Sequence, residues 1–370
     1  MLVLCRDYFP LRFVSKNDVP NIALGASVLG AGGGGNVEAG TLLLQNAIDI
    51  LGQVKLIALE ELQDDDFVVP LGNMVAPVVG LEKFGEIEEP GEVVELLCDR
   101  IGRKVTAVTA VEVGGSNSMI PMVGALCLSV PMVDADSMGR AFPETQMTSY
   151  HLNGLSASPF ALIDERGNRI VLEAVDTFWA EKIARTVTSL MGARSCVATF
   201  AMNGKAAKAS CIGGTITLSQ KIGEALNNAH AGSDRLRSLS NLTGGRILFS
   251  GKITDVNRRT VGGFNKGSVT MMGTDEFAGT SCNIVFQNEN LVCHVGKRLA
   301  ATVPDIITVL NSETLRPITT EELRYGNRVA VIGIPAAPIW RTEKGIQVAG
   351  PRYFGYDVDY VPVEVLSRSD

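Results

Sequence analysis

The sequence contains no H-x-H, H-E-x-x-H or C-x-x-C spacing, and its histidines are His151, His230 and His294 alone. That argues against a histidine-rich zinc hydrolase, a zinc knuckle and a dithiol redox centre. It has no block of Lys or Arg, and its net charge is −7, so no nucleic-acid partner is expected. No apolar run approaches the roughly 18 residues of a membrane span, so no membrane partner is expected either. The start, Met1-Leu2-Val3-Leu4-Cys5, lacks a basic segment and is cut short by Arg6 and Asp7, which speaks against a signal peptide. The seven cysteines (Cys5, Cys98, Cys127, Cys196, Cys211, Cys282, Cys293) are odd in number and scattered. Reduced thiols and a cytoplasmic location are the expectation. Internal repeats and low-complexity linkers are also missing.

What the chain does have is glycine, 39 residues of it, and one concentrated stretch, Gly30-Ala31-Gly32-Gly33-Gly34-Gly35-Asn36. It lies between two helical patterns: residues 18–29, with Asp18 as N-cap and Pro20 in the first turn, and a second helix holding Leu44, Ala47, Ile48 and Leu51, with Asn36 as N-cap. A glycine loop feeding a helix N-terminus offers N–H donors to an oxyanion. No Gly-Lys-Ser/Thr follows and no strand precedes, so neither a P-loop nor a dinucleotide fingerprint is formed. A tight loop where two elements touch is the structural alternative.

At 370 residues the chain accommodates two domains. Apolar runs at Val54–Leu59, Phe67–Leu71, Val105–Val113 and Met132–Asp134 read as strands, and they alternate with helices opened by Pro90 and spanning 118–129. The pattern predicts an α/β domain over residues 1–172 with a mostly parallel sheet, ending in a hairpin of Phe160–Ile163 and Arg169–Leu172. Residues 173–370 form the second domain. It starts as α+β over 173–242, with a helix from Asp176 to Leu190, a strand at Val197–Met202 and a helix near 217–230 ending by His230. From 243 it reads as mainly β, a small barrel or sandwich: Arg246–Ile253, Ser268–Met272, Ser281–Gln287, Leu291–Val295, Arg328–Ile332 and Val361–Leu366, with a short helix capped by Thr319 and Glu322.

Ligands of parallel sheets bind beyond the carboxyl ends of the strands. Three polar segments fall there: Gly72-Asn73-Met74, Glu112 to Asn117, and Asp134-Ala135-Asp136. Asp134 and Asp136, two apart on an extended backbone, face one side; they can act as base and acid or hold a divalent cation, the alternative being a capping role. Glu144 is placed to join them. Gly115, Ser116 and Asn117 offer donors beside Glu112, or cap the next helix. Asn73 can orient an imide edge, His151 can act as an acid, and Arg352 can reach a carboxylate. Lys83, after Glu82, reads as a surface ion pair.

The glycine loop, the run Val133-Asp134-Ala135-Asp136-Ser137-Met138-Gly139-Arg140-Ala141-Phe142-Pro143-Glu144, the segment Thr319-Glu322-Leu323-Arg324-Tyr325-Gly326 and the late Gly350-Pro351-Arg352-Tyr353-Phe354-Gly355-Tyr356-Asp357 resemble the family once called DUF917, now described as S-methyl thiohydantoin desulfurase-like. The resemblance implies hydrolysis of an S-methylated thiohydantoin to the hydantoin with release of methanethiol. It also implies company with hydantoinase/oxoprolinase-type subunits, and it transfers no catalytic motif. The expectation is a hydrolase acting on a small cyclic amide or imide, with Asp134, Asp136, Glu112 and Glu144 catalytic. Gly32, Gly33, Gly34, Gly35, Asn73, Gly115, Ser116, Asn117, His151 and Arg352 would bind substrate. No cofactor is required by this reading, a divalent metal at Asp134 and Asp136 being the variant, and a homo-oligomer is expected. The rivals are a non-catalytic subunit of a hydantoinase/oxoprolinase complex and a nucleotide-binding enzyme using the glycine loop.

Overall fold

Strands and helices that alternate through the first half of the chain build one mixed sheet. The computed structural model describes residues 13–35, 37–76, 79, 83, 85–227, 234–261 and 264–366. In order these form β1 (Phe13–Val14), α1 (Val19–Leu29), α2 (Val37–Leu51), β2 (Val54–Ile57), β3 (Phe67–Val75), α3 (Glu89–Ile101), β4 (Ala107–Ala110), α4 (Ile120–Leu128), β5 (Met132–Val133) and β6 (Ala135–Asp136). Next come α5 (Ser149–Leu152), β7 (Phe160–Ile163), β8 (Arg169–Leu172), α6 (Thr177–Leu190), β9 (Arg194–Ala198), β10 (Met202–Asn203), α7 (Gly204–Ser210), β11 (Ile212–Gly213), α8 (Thr215–Asn227) and α9 (Asp234–Thr243). The rest is β12 (Arg246–Val261), β13 (Phe264–Gly273), β14 (Ser281–Gln287), β15 (Glu289–Val295), β16 (Arg298–Thr302), β17 (Ile306–Asn311), β18 (Arg328–Ile334), α10 (Glu343–Ala349) and α11 (Val363–Leu366).

The first sheet runs β1-β2-β5-β4-β3-β9-β7-β8, with β10 also on β3. Its centre, β2, β5, β4 and β3, is parallel, and antiparallel strands flank it. The apolar runs are buried on both faces, as a helix-covered parallel sheet requires: Val68, Val69, Leu71, Val108 and Met132 are fully enclosed. The second sheet, β16-β15-β14-β13-β12-β18-β17, is antiparallel throughout and curls until β16 and β17 touch. The α/β and mainly β halves expected from the sequence are therefore present.

Several expected boundaries move, each for a local reason. The strand read over Val105–Val113 pairs only at Ala107–Ala110, because the chain then bends so that the Val113 N–H reaches the Asp136 carboxylate at 2.8 Å. The strand read at Val197–Met202 is β9, three residues earlier; Phe200, with φ of +50°, breaks it before β10 resumes. The Thr319–Glu322 helix is a single turn, since the Arg324 N–H that would continue it donates to Asn327 Oδ1 at 3.0 Å instead. Val361–Leu366 is not a strand; past Pro362 it coils into α11, whose Val363 N–H is held by Asp305 at 2.8 Å. Asp18 does precede α1, but its carboxylate turns back to Ser15 and caps nothing. Asn36, His230 and Glu82 lie outside the described residues.

Candidate active site

The carboxyl ends of β3 and β4 open into a cavity of about 480 Å³ that the glycine loop, α2 and the start of β15 complete. Of the residues expected at the site, Gly33, Gly34, Gly35, Asn73, Glu112, Ser116, Asn117 and Glu144 line it together. Glycine is needed here for close approach. A Cβ at Gly34 would lie 2.4 Å from the Gly114 carbonyl oxygen, and one at Gly33 would lie 2.1 Å from Glu289 Oε1. The loop also joins the two halves of the molecule: the Asn290 N–H donates to the Ala31 carbonyl at 2.8 Å and the Ser116 N–H to that of Gly34 at 2.9 Å. Gly32 and Gly115 stand behind this wall, outside the lining.

Glu112 is the most perturbed of the expected acids in the cavity. Burial pushes its carboxyl up to about 8, the nearby Asp136 acting in the same direction, against hydrogen bonds from Asn117 and the Phe142 N–H. The Asn117 amide is clamped on its other side by Asn73, accepting from its N–H at 2.7 Å and donating to its carbonyl at 3.1 Å. Asn73 Oδ1 has no partner. Glu144, in the same cavity, accepts from Tyr353 Oη at 2.7 Å and from Gln146.

Besides Gly32 and Gly115, four expected site residues lie outside the lining. Asp134 is sealed under α8, where its carboxylate accepts from the Ile216 N–H at 2.9 Å, the Thr217 N–H at 3.2 Å and the Thr217 hydroxyl. Asp136 is fully buried and accepts from the Val113, Met138 and Gly139 N–H groups. The two do not share a face because β5 ends at Val133 and β6 pairs with β11 instead. Capping, the structural alternative, is what both carboxylates do, and burial raises both above the usual carboxylate range, Asp136 to about 7. His151 packs edge-on against Phe178, beside a shallow hollow next to α10. Arg352 is exposed and paired with Asp357 and Asp359. Among the described residues, no group of three or more His, Cys, Asp or Glu side chains is gathered to hold a metal.

The sequence reading missed Glu289, Glu321, Asn288, Arg185 and Arg194, all of which line the cavity. Lys83 lines it too, and pairs with Glu165 at 2.7 Å. The signal for the β-domain contribution was the polar run Gln287-Asn288-Glu289-Asn290, which interrupts two apolar strands.

Family profiles cover almost the whole chain: the S-Me-THD-like N-terminal domain matches residues 17–174 and the S-Me-THD-like C-terminal domain residues 175–363. The chain belongs to this family. Both domains of the S-Me-THD-like fold contribute to the first sheet, which takes β9 and β10 from the second. A crystal structure of a protein from Chromobacterium violaceum has the same fold, with a TM-score of 0.81 and 23% identity over 95% of this chain and 99% of that one. No curated protein matches significantly. Among the described residues, no helix is long and apolar enough to cross a membrane.

Proposed function

We propose that this S-Me-THD-like protein hydrolyses a small S-methyl thiohydantoin-type ring to the hydantoin, releasing methanethiol, in the cavity at the β3–β4 rim. The observation that carries the reading is Glu112, a buried carboxyl in a family-matched fold, held near pH 8 and facing a cavity rimmed by amides and bare glycine backbone. Hydrolysis of a cyclic thioimidate needs a proton for the ring nitrogen, a base for water and donors for developing charge. At neutral pH Glu112 holds its proton and supplies the first. A second carboxylate lining the cavity accepts the proton of water. Asn73, with an unpartnered oxygen, suits the N–H of a cyclic amide. The purified protein and its Glu112→Gln variant are to be assayed for thiol release from S-methyl thiohydantoins. Loss of turnover by about 100-fold in the variant is expected; undiminished release would remove Glu112 from the chemistry.

A further inference from the structure

We propose that Glu289, carried in by the C-terminal sheet, is the second catalytic carboxyl of this cavity and shares one proton with Glu112. The inference deepens the hydrolytic reading above and rests on it. Glu289 is 2% exposed, lines the same cavity as Glu112, and has an oxygen, Oε2, with no hydrogen-bond partner. A buried carboxyl oxygen left unpaired is costly unless a ligand or a proton serves it.

Its backbone is fixed beforehand. Asn288 sits at φ +59° and is held on three sides: its N–H donates to the Asn265 carbonyl at 2.8 Å, its Oδ1 accepts from the Asn265 N–H at 2.8 Å, and its carbonyl accepts from Thr320 Oγ1 at 2.7 Å. A non-glycine residue kept in the left-handed region by so many bonds marks a turn whose geometry matters. The glycine loop completes the seat, since only a residue without a Cβ at position 33 leaves room for Oε1.

The charges around the pair favour a single proton. Arg140, 1% exposed, is spent on the carbonyls of Ala141, Pro304 and Asp305, lies 4.4 Å over the Phe142 ring, and keeps Nη2 unpartnered. Burial, then the neighbouring Glu112, pushes the Glu289 carboxyl well above the usual carboxylate range; Arg140 draws both carboxyls back toward ionisation, while Glu321 adds to the rise at Glu289 and Asp136 to that at Glu112. One buried cation beside two carboxyls offsets one negative charge, so one carboxyl ionises and the other stays protonated.

The step balances. As the oxygen of water bonds to the ring carbon bearing sulfur, Glu289 takes a proton from that water and Glu112 gives its proton to the ring nitrogen as the C=N π bond opens. The new hydroxyl then returns a proton to Glu112 as the carbonyl forms. The C–S bond breaks, and methanethiolate leaves with the proton from Glu289. Both carboxyls end as they began.

The test uses the full chain. Infrared titration of the protonated carboxyl band, without substrate, should show Glu112, assigned by its loss in Glu112→Gln, moving down by about one pH unit in Glu289→Gln. An unmoved Glu112 midpoint overturns the shared proton. With an S-methyl thiohydantoin, Glu289→Gln should lower kcat about 100-fold, hold KM within a few-fold and erase one limb of the pH profile, whereas Glu144→Gln keeps both limbs. Full kcat in Glu289→Gln, or loss of the limb in Glu144→Gln instead, overturns the assignment. Glu289→Asp keeps the charge but withdraws it; it should retain the coupled titration at reduced kcat, and full kcat there also counts against the proposal. A wild type that shows the coupled titration but turns over no such ring would refute the hydrolytic reading and leave the paired carboxyls standing.

Discussion

Asn117 holds Glu112 from one side while gripping the backbone of Asn73 from the other, accepting from its N–H at 2.7 Å. The amide therefore couples the ends of β3 and β4 and fixes the orientation of the acid. Asn117→Ala breaks all these bonds at once. It should cost roughly 1–3 kcal/mol in chemical denaturation, the toll of buried groups left unpaired, and reduce thiol release more than ring binding.

Asp134 caps the start of α8. Asp134→Ala removes the acceptor that the Ile216 N–H, the Thr217 N–H and the Thr217 hydroxyl share. Stability should fall by about 1–2 kcal/mol, and turnover per folded molecule should stay close to wild type. Comparing the melting midpoint with kcat on the same preparation separates the two. A collapse of kcat without a change in stability would restore Asp134 to the chemistry.

Stability should carry the mark of Glu112. Its folded carboxyl sits near 8 against an ordinary 4.5, so the folded state binds the extra proton between those values. The stability contributed by the protonated group is complete below about pH 4.5 and is lost as pH rises through about 8. The slope is at most ~1.4 kcal/mol per pH unit for one group. Denaturant melts of wild type and Glu112→Gln across that window isolate it: the difference should grow in favour of the glutamine variant toward alkaline pH.

Gly33→Ala places a methyl 2.1 Å from Glu289 Oε1. The side chain must shift, at a cost of about 1–3 kcal/mol if the loop also moves. Turnover should fall with it. Arg352→Ala, by contrast, removes only exposed ion pairs and should leave both turnover and melting unchanged.

The sequence reading recovered the architecture where the signal was local. The apolar and helical runs placed α1, α2, β2, β3 and the β7–β8 hairpin, whose register is Phe160 opposite Leu172. The rim loop after β4 was placed because strand ends in a parallel sheet are predictable from order alone. Gly72-Asn73-Met74, read as a loop beyond the second strand, instead lies inside β3, which runs on to Val75 because these residues pair with β9. The reading went astray where distant partners compete for a backbone group. Downstream of the Thr319 turn the Gly326 N–H goes to the Ile253 carbonyl, and Asp134 is drawn to an α8 that lies some 80 residues on. Glu289 was missed for the same reason: the polar run around it marks a break between apolar strands, but nothing near position 289 announces that this turn will meet a glycine loop more than 250 residues earlier.

The most direct measurement is turnover of an S-methyl thiohydantoin by the purified protein in oxygen-18 water. Methanethiol and hydantoin are expected in equal amounts, with one heavy oxygen at the carbon that carried sulfur. Intact substrate, or a hydantoin whose new carbonyl oxygen is unlabelled, would contradict it.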